Sequence, residues 1–106
     1  MILGVGVDTV LLARVESVYS RFGDRFSKKI LSVQERSSGT VDARLLAKRF
    51  AVKEAIAKAL GTGFRGGITM PSMSIVKTEL NAPKVILSGA ALERLERLGG
   101  LSLIHI

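Results

Sequence analysis

The spacing of apolar positions changes several times along the chain, and each change marks an element. Residues Ile2 to Val10 form a short β-branched, Gly-rich run that predicts a strand, with Gly4 and Gly6 leaving room for another backbone or a ligand. Asp8 falls within these apolar surroundings. From Leu11 to Phe22, residues Leu11, Leu12, Val15, Val18, Tyr19 and Phe22 recur at helical spacing, with Arg14, Glu16 and Arg21 on the other side and Gly23 as a stop. Phe26 to Leu31 predicts one or two further helical turns, and the polar stretch Ser32 to Thr40 reads as a loop.

The strongest helical segment is Asp42 to Leu60, which is rich in helix formers, contains no Gly or Pro, and ends at Gly61. Ala47, Ala51, Ala55 and Ala59 repeat every four residues, a small-residue stripe for close packing. Between Gly61 and Gly67 there are four glycines in seven residues, so this loop can turn tightly or approach a phosphate closely. Ser74 to Lys77 and Val85 to Leu87 predict strands around a turn at Leu80 to Pro83. Gly89 to Leu98 reads as a charged amphipathic helix and Leu101 to Ile106 as the opening of a strand. No internal repeat or linker divides the 106 residues, and 1–106 is read as one domain.

Composition narrows the chemistry. Sixteen Lys plus Arg against nine Asp plus Glu give a formal charge of +7, which favours an anionic partner: nucleic acid, membrane surface, phosphorylated substrate or acidic protein. The absence of cysteine excludes disulfides and thiolate metal sites and suits the cytoplasm. MILGVGV has no preceding basic region and is followed by Asp8, so it does not read as a secretory signal, and no stretch has the uncharged length of a membrane span.

Among candidate chemical groups, Glu54 and Lys58 lie four apart and share a helix face, as do Arg49 and Lys53. Such pairs also occur on any solvated helix. Asp8 needs a hydrogen-bond donor, an ion partner or a cation if its surroundings are apolar, or else it caps the helix that follows. The glycine loop lies at the negative end of the long helix, so a phosphate there needs added positive charge, which Lys58 is placed to supply. His105 has no visible partner and is given no role. There is no Ser/His/Asp set, Cys/His spacing or Walker-type loop, and the few aromatics do not interleave with basic residues as in stacking nucleic-acid binders.

Two segments together resemble the holo-[acyl-carrier-protein] synthase family: Gly4-Val5-Gly6-Val7-Asp8 continuing to Ala13-Arg14-Val15, and RLLAKRFAVKEAIAKALGTGF from Arg44 to Phe64. Gly67-Ile68-Thr69, Asn81-Ala82-Pro83 and Leu87-Ser88-Gly89-Ala90 follow in the family's order, so the resemblance covers nearly the whole chain. It implies an α+β phosphopantetheinyl transferase fold, with a long central helix packed on a small antiparallel sheet, and a homotrimer with active sites between subunits. It further implies transfer of 4'-phosphopantetheine from coenzyme A to a serine of acyl carrier protein, in fatty acid biosynthesis.

The same resemblance assigns Mg²⁺ to Asp8 and Glu54, two oxygen ligands to be completed by water and pyrophosphate. Catalytic roles carry to Asp8, Glu54 and Lys58, with Glu54, directly or through a metal-bound water, removing the serine proton. Lys48, Arg49, Lys58, Gly61 and Gly63 would place the nucleotide phosphates, and Arg14 and Arg21 would receive the acidic carrier protein. Family members continue beyond the position of Ile106 with a Ser-x-Ser-His strand and a final strand, so the resemblance implies a sheet lacking strands at this end. The competing readings are a small basic RNA-binding domain and an inactive fragment of the synthase.

Overall fold

Helix α4, Ala43–Ala59, is the element around which the rest is arranged. The computed structural model describes residues 8–77, 83–99 and 103–105. Asp42 starts the helix by accepting the Leu45 N–H on Oδ1 at 2.7 Å, and with no internal Gly or Pro it runs on to Leu60, its C-cap. Its C-terminal half buries Val52, Ile56, Ala57 and Leu60 against Ile68, Met73, Ile75, Val85, Leu87 and Ala91. Its N-terminal half buries Leu46 and Ala47 against Val15, Ile30 and Leu31. The alanine stripe is only partly a packing seam. Ala47 is buried, Ala51 and Ala55 are half-buried and Ala59 is exposed, while Ala57, off the stripe, is buried.

Three helices precede α4: α1 (Thr9–Phe22), α2 (Asp24–Ile30) and α3 (Val33–Ser37). Helix α1 packs along α4. It begins before the point that apolar spacing predicts, because Asp8 accepts the Val10 N–H at 2.7 Å and caps it. Thr9 and Val10 are therefore helical rather than strand, and Asp8 is exposed rather than set among apolar groups. Residues 2–7 of the expected strand, with Gly4 and Gly6, lie outside the described residues. Gly23, at φ 54°, ends α1 and starts α2, a left-handed conformation that glycine adopts without a Cβ penalty.

The polar stretch after α2 is not all loop. Ser32 Oγ accepts the Glu35 N–H at 3.2 Å and Glu35 Oε1 accepts the Ser32 N–H at 3.0 Å, a reciprocal cap that satisfies two end donors and forms α3.

Strands β1 (Met73–Lys77), β2 (Pro83–Leu87) and β3 (Leu103–His105) form an antiparallel sheet in the order β1-β2-β3, with Ile75 opposite Val85 and Val85 opposite Ile104. Alternation sends Met73, Ile75, Val85 and Leu87 into the core against α4. Residues 80–82 of the expected Leu80–Pro83 turn lie outside the described residues. Helix α5 (Gly89–Arg97) returns over the same core through Ala91. This is the α+β arrangement expected, a long helix on a small antiparallel sheet. Among the described residues no helix is long and apolar enough to cross a membrane.

Candidate active site

Glu54 and Lys58 are one turn apart on α4, with Glu54 half-buried and Lys58 exposed in the last turn. The chain then passes through Gly61 at φ 79° and Gly63 at φ 59°. Their amides turn back onto the helix: Gly61 N–H donates to the Lys58 carbonyl at 2.9 Å and Gly63 N–H to the Ala57 carbonyl at 3.1 Å. What these two glycines offer a ligand is therefore close approach rather than free donors. Positive charge at this negative helix end comes from Lys58 and from a residue that sequence reasoning missed, Arg94 on α5. Arg94 Nε donates to the Leu60 carbonyl at 3.0 Å, and a Cβ on Gly61 would meet Arg94 Nη2 at 3.4 Å. Its only signal in the sequence was its position on a charged amphipathic helix.

Asp8 stands at the N-terminus of α1, the helix packed along α4. Its Oδ1 takes the Val10 N–H, and the carboxylate is open to solvent. The described residues hold no cluster of three or more acidic, His or Cys side chains. Asp8, exposed, and Glu54, half-buried, are the two carboxylates expected to hold Mg²⁺, and carboxylate oxygens are the hard donors that this ion takes beside water and substrate phosphate.

Arg49 and Lys53 do not form a solvated face. Lys53 is fully buried, donating from Nζ to Glu35 Oε1 and to the Ile30 carbonyl, each at 2.5 Å. Burial pushes its ammonium below the usual lysine range, and the Glu35 carboxylate works against that shift. Arg49 Nε lies 3.3 Å from Glu35 Oε2, close enough for an ion pair though not aligned as a hydrogen bond. Lys48, the other expected phosphate ligand, is half-buried. Glu35 was read as part of a loop, although Ser32 followed by a glutamate three residues later carried the signal of a helix start.

Arg14 and Arg21 are both exposed on α1, with the Arg21 guanidinium 5.5 Å from the Phe22 ring centroid. Beside them α1 and α2 enclose a shallow groove of about 330 Å³, lined by Val18, Phe22 and Phe26 with Arg25 and Lys29. Helix α1 thus presents a basic surface with an apolar strip.

Residues 4–101 match the 4'-phosphopantetheinyl transferase superfamily. A holo-[acyl-carrier-protein] synthase of Klebsiella pneumoniae is 47% identical over 99% of this chain and 85% of its own length. One from Escherichia coli is 46% identical over 92% of this chain and 80% of its own. In structure, the holo-[acyl-carrier-protein] synthase of Neisseria meningitidis superposes with a TM-score of 0.72 at 39% identity, covering 93% of this chain and 82% of that one. The Plasmodium yoelii acyl carrier protein synthase with ADP bound gives a TM-score of 0.73 at 27% identity, covering 96% and 80%. These relatives favour an enzyme over the RNA-binding reading of the charge. With the fold, the α4 sequence and near full-length identity in agreement, the chain belongs to the holo-[acyl-carrier-protein] synthases of the 4'-phosphopantetheinyl transferase superfamily.

Proposed function

We propose that this protein transfers 4'-phosphopantetheine from coenzyme A to a serine hydroxyl of acyl carrier protein, in the cytoplasm and in service of fatty acid biosynthesis. The observation that supports the reading is membership of this family, beside Glu54 and Lys58 one turn apart on α4 and Arg94 reaching the Leu60 carbonyl at the end of that helix. The serine oxygen forms a bond to the β-phosphorus of coenzyme A while the bond from that phosphorus to the bridging oxygen breaks. Adenosine 3',5'-bisphosphate leaves with the electron pair, and the serine proton passes to Glu54.

Lys58 and Arg94 lie where negative charge grows on the pyrophosphate oxygens, and cations fixed there before the reaction favour the transition state. Arg49 and Lys48 hold the nucleotide phosphates. Asp8 and Glu54 would hold Mg²⁺, which when bound neutralises pyrophosphate charge. Arg14, Arg21 and the apolar strip beside them receive the acidic carrier protein. A homotrimer completes the site between subunits, as the family resemblance implies.

The test is incubation of the protein with apo-acyl carrier protein, coenzyme A and Mg²⁺, followed by intact mass. The expected result is the mass gain of one phosphopantetheine on the carrier serine, dependent on Mg²⁺, from a particle of trimer size. A folded trimer that transfers nothing would overturn the proposal.

A further inference from the structure

Glu35 has no part in the chemistry above, yet it joins two turns of the helix that carries it. Its Oε1 accepts from the Ser32 N–H at 3.0 Å and from Lys53 Nζ at 2.5 Å, and its Oε2 contacts Arg49 Nε at 3.3 Å. Ser74 Oγ on β1 donates to Ser32 Oγ at 2.7 Å, and Lys53 also holds the last carbonyl of α2, that of Ile30. One carboxylate therefore meets α4 at residues a turn apart, by a hydrogen bond to Lys53 and a looser ion contact with Arg49, and this grip ties the helix to α3. At roughly 100° per residue, Glu54 stands about 100° and Lys58 about 140° around α4 from Lys53. Any turn of the helix about this grip moves both.

We propose that Glu35 is a positioning residue for phosphopantetheine transfer, setting the orientation of α4 and the direction of the Arg49 guanidinium through its contacts with Lys53 and Arg49. The inference rests on the functional reading given above. Two observations carry it beyond a contribution to stability. Two buried charges are an inefficient way to fill a core, since apolar groups of the same volume often serve as well or better, so what the pair adds is direction. Glu35 and Arg49 also line a cavity of about 480 Å³ between α3, the start of α4 and β1, together with Ser38, Thr40 and Lys77. The carboxylate thus aims a cation at a space rather than into closed packing.

The test is the double variant Glu35→Gln/Lys53→Met in the full chain. Gln keeps an acceptor for the Ser32 N–H, Met replaces the lysine stem, and the two fully buried charges leave together, while Arg49, which is partly open to solvent, loses its ion partner. The melting temperature is expected to stay within a few degrees of wild type, while kcat per folded molecule falls about ten- to a hundred-fold at saturating substrates and the KM for coenzyme A rises. Glu35→Asp, which keeps both charges but shortens the grip, is expected to fall between. A role in stability alone would lower the amount of folded enzyme and leave kcat per folded molecule unchanged. A folded double variant that turns over like wild type overturns the inference, and if that variant does not fold, a wild-type kcat for Glu35→Asp overturns it. A wild-type chain without transfer removes the functional reading and this inference with it, whereas active wild type beside unimpaired variants removes the inference alone.

Discussion

Lys53 Nζ lies 2.5 Å from Glu35 Oε1, both side chains withdrawn from solvent and 18 residues apart in the chain. The contact ties α3 to α4, and the cost of breaking it is lopsided. Removing either partner strands a charge in the core, whereas removing both does not. Glu35→Ala alone should therefore destabilise the fold by about 3–5 kcal/mol, losing the α3 cap as well. Lys53→Ala should cost a similar amount. Urea unfolding followed by circular dichroism measures it, and a loss below about 1 kcal/mol for both would mean that the pair is open to water.

Gly63 should tolerate a side chain less well than its open surroundings suggest. A Cβ there meets nothing within 4 Å, yet the backbone sits at φ 59°. Gly63→Ala is expected to cost about 1–2 kcal/mol from conformation alone, read as a lowered melting temperature. A neutral substitution would show that the loop relaxes to another conformation.

How far the sequence revealed these features differs from element to element. Helix α4, its end at Gly61 and the Gly23 break were readable because each is decided by neighbours within a turn. Ser32 and Glu35 carried a local signal too, but the surrounding polarity concealed it. Lys53 could not be read, because its burial depends on a partner 18 residues away and on the Ile30 carbonyl at the end of another helix. Asp8 was read either as a carboxylate in apolar surroundings or as the cap of the next helix, and the cap is what forms, with the carboxylate in solvent. Arg94 reaches the end of α4 across 34 residues, a distance over which periodicity says nothing.

Arg94→Ala should separate the two ends of its guanidinium role. The α4 C-terminus loses one side-chain donor, a cost of about 1 kcal/mol. If Arg94 also faces the pyrophosphate, kcat/KM for coenzyme A falls by more than ten-fold at unchanged carrier-protein KM, roughly the scale of one charge-assisted contact. Steady-state kinetics with each substrate varied in turn distinguishes this from a cap alone, which would leave kcat/KM near wild type.

Charge reversal at Arg14 and Arg21, both exposed, should weaken use of the carrier protein through encounter. The KM for carrier protein should rise while that for coenzyme A holds, and the effect should shrink as salt is raised, because exposed charges are screened over about 10 Å at 0.1 M ionic strength. An equal loss at all salt concentrations would point instead to a fold defect.

The assignment of Asp8 and Glu54 as the metal-holding pair is tested most cleanly by substitutions that respect what each side chain already does. Asp8 caps α1 through Oδ1, so Asp8→Ala removes a cap, at a cost of about 1 kcal/mol, as well as a carboxylate. Asp8→Asn separates the two effects. Asparagine caps as well as aspartate but carries no charge, so the melting temperature should stay within a few degrees of wild type while transfer is lost. Glu54 is half-buried on a helix whose anchoring rests on Lys53 and Glu35, so Glu54→Gln should likewise fold and fail to transfer. Two carboxylates near a pyrophosphate repel it and each other unless a hard cation lies between them. It follows that coenzyme A binding to wild type should tighten steeply with Mg²⁺, and that binding to either amide variant should respond weakly to the ion. Titration calorimetry with and without Mg²⁺, beside intact-mass measurement of transfer, reads both. Normal transfer by Asp8→Asn would leave Asp8 as a helix cap and nothing more.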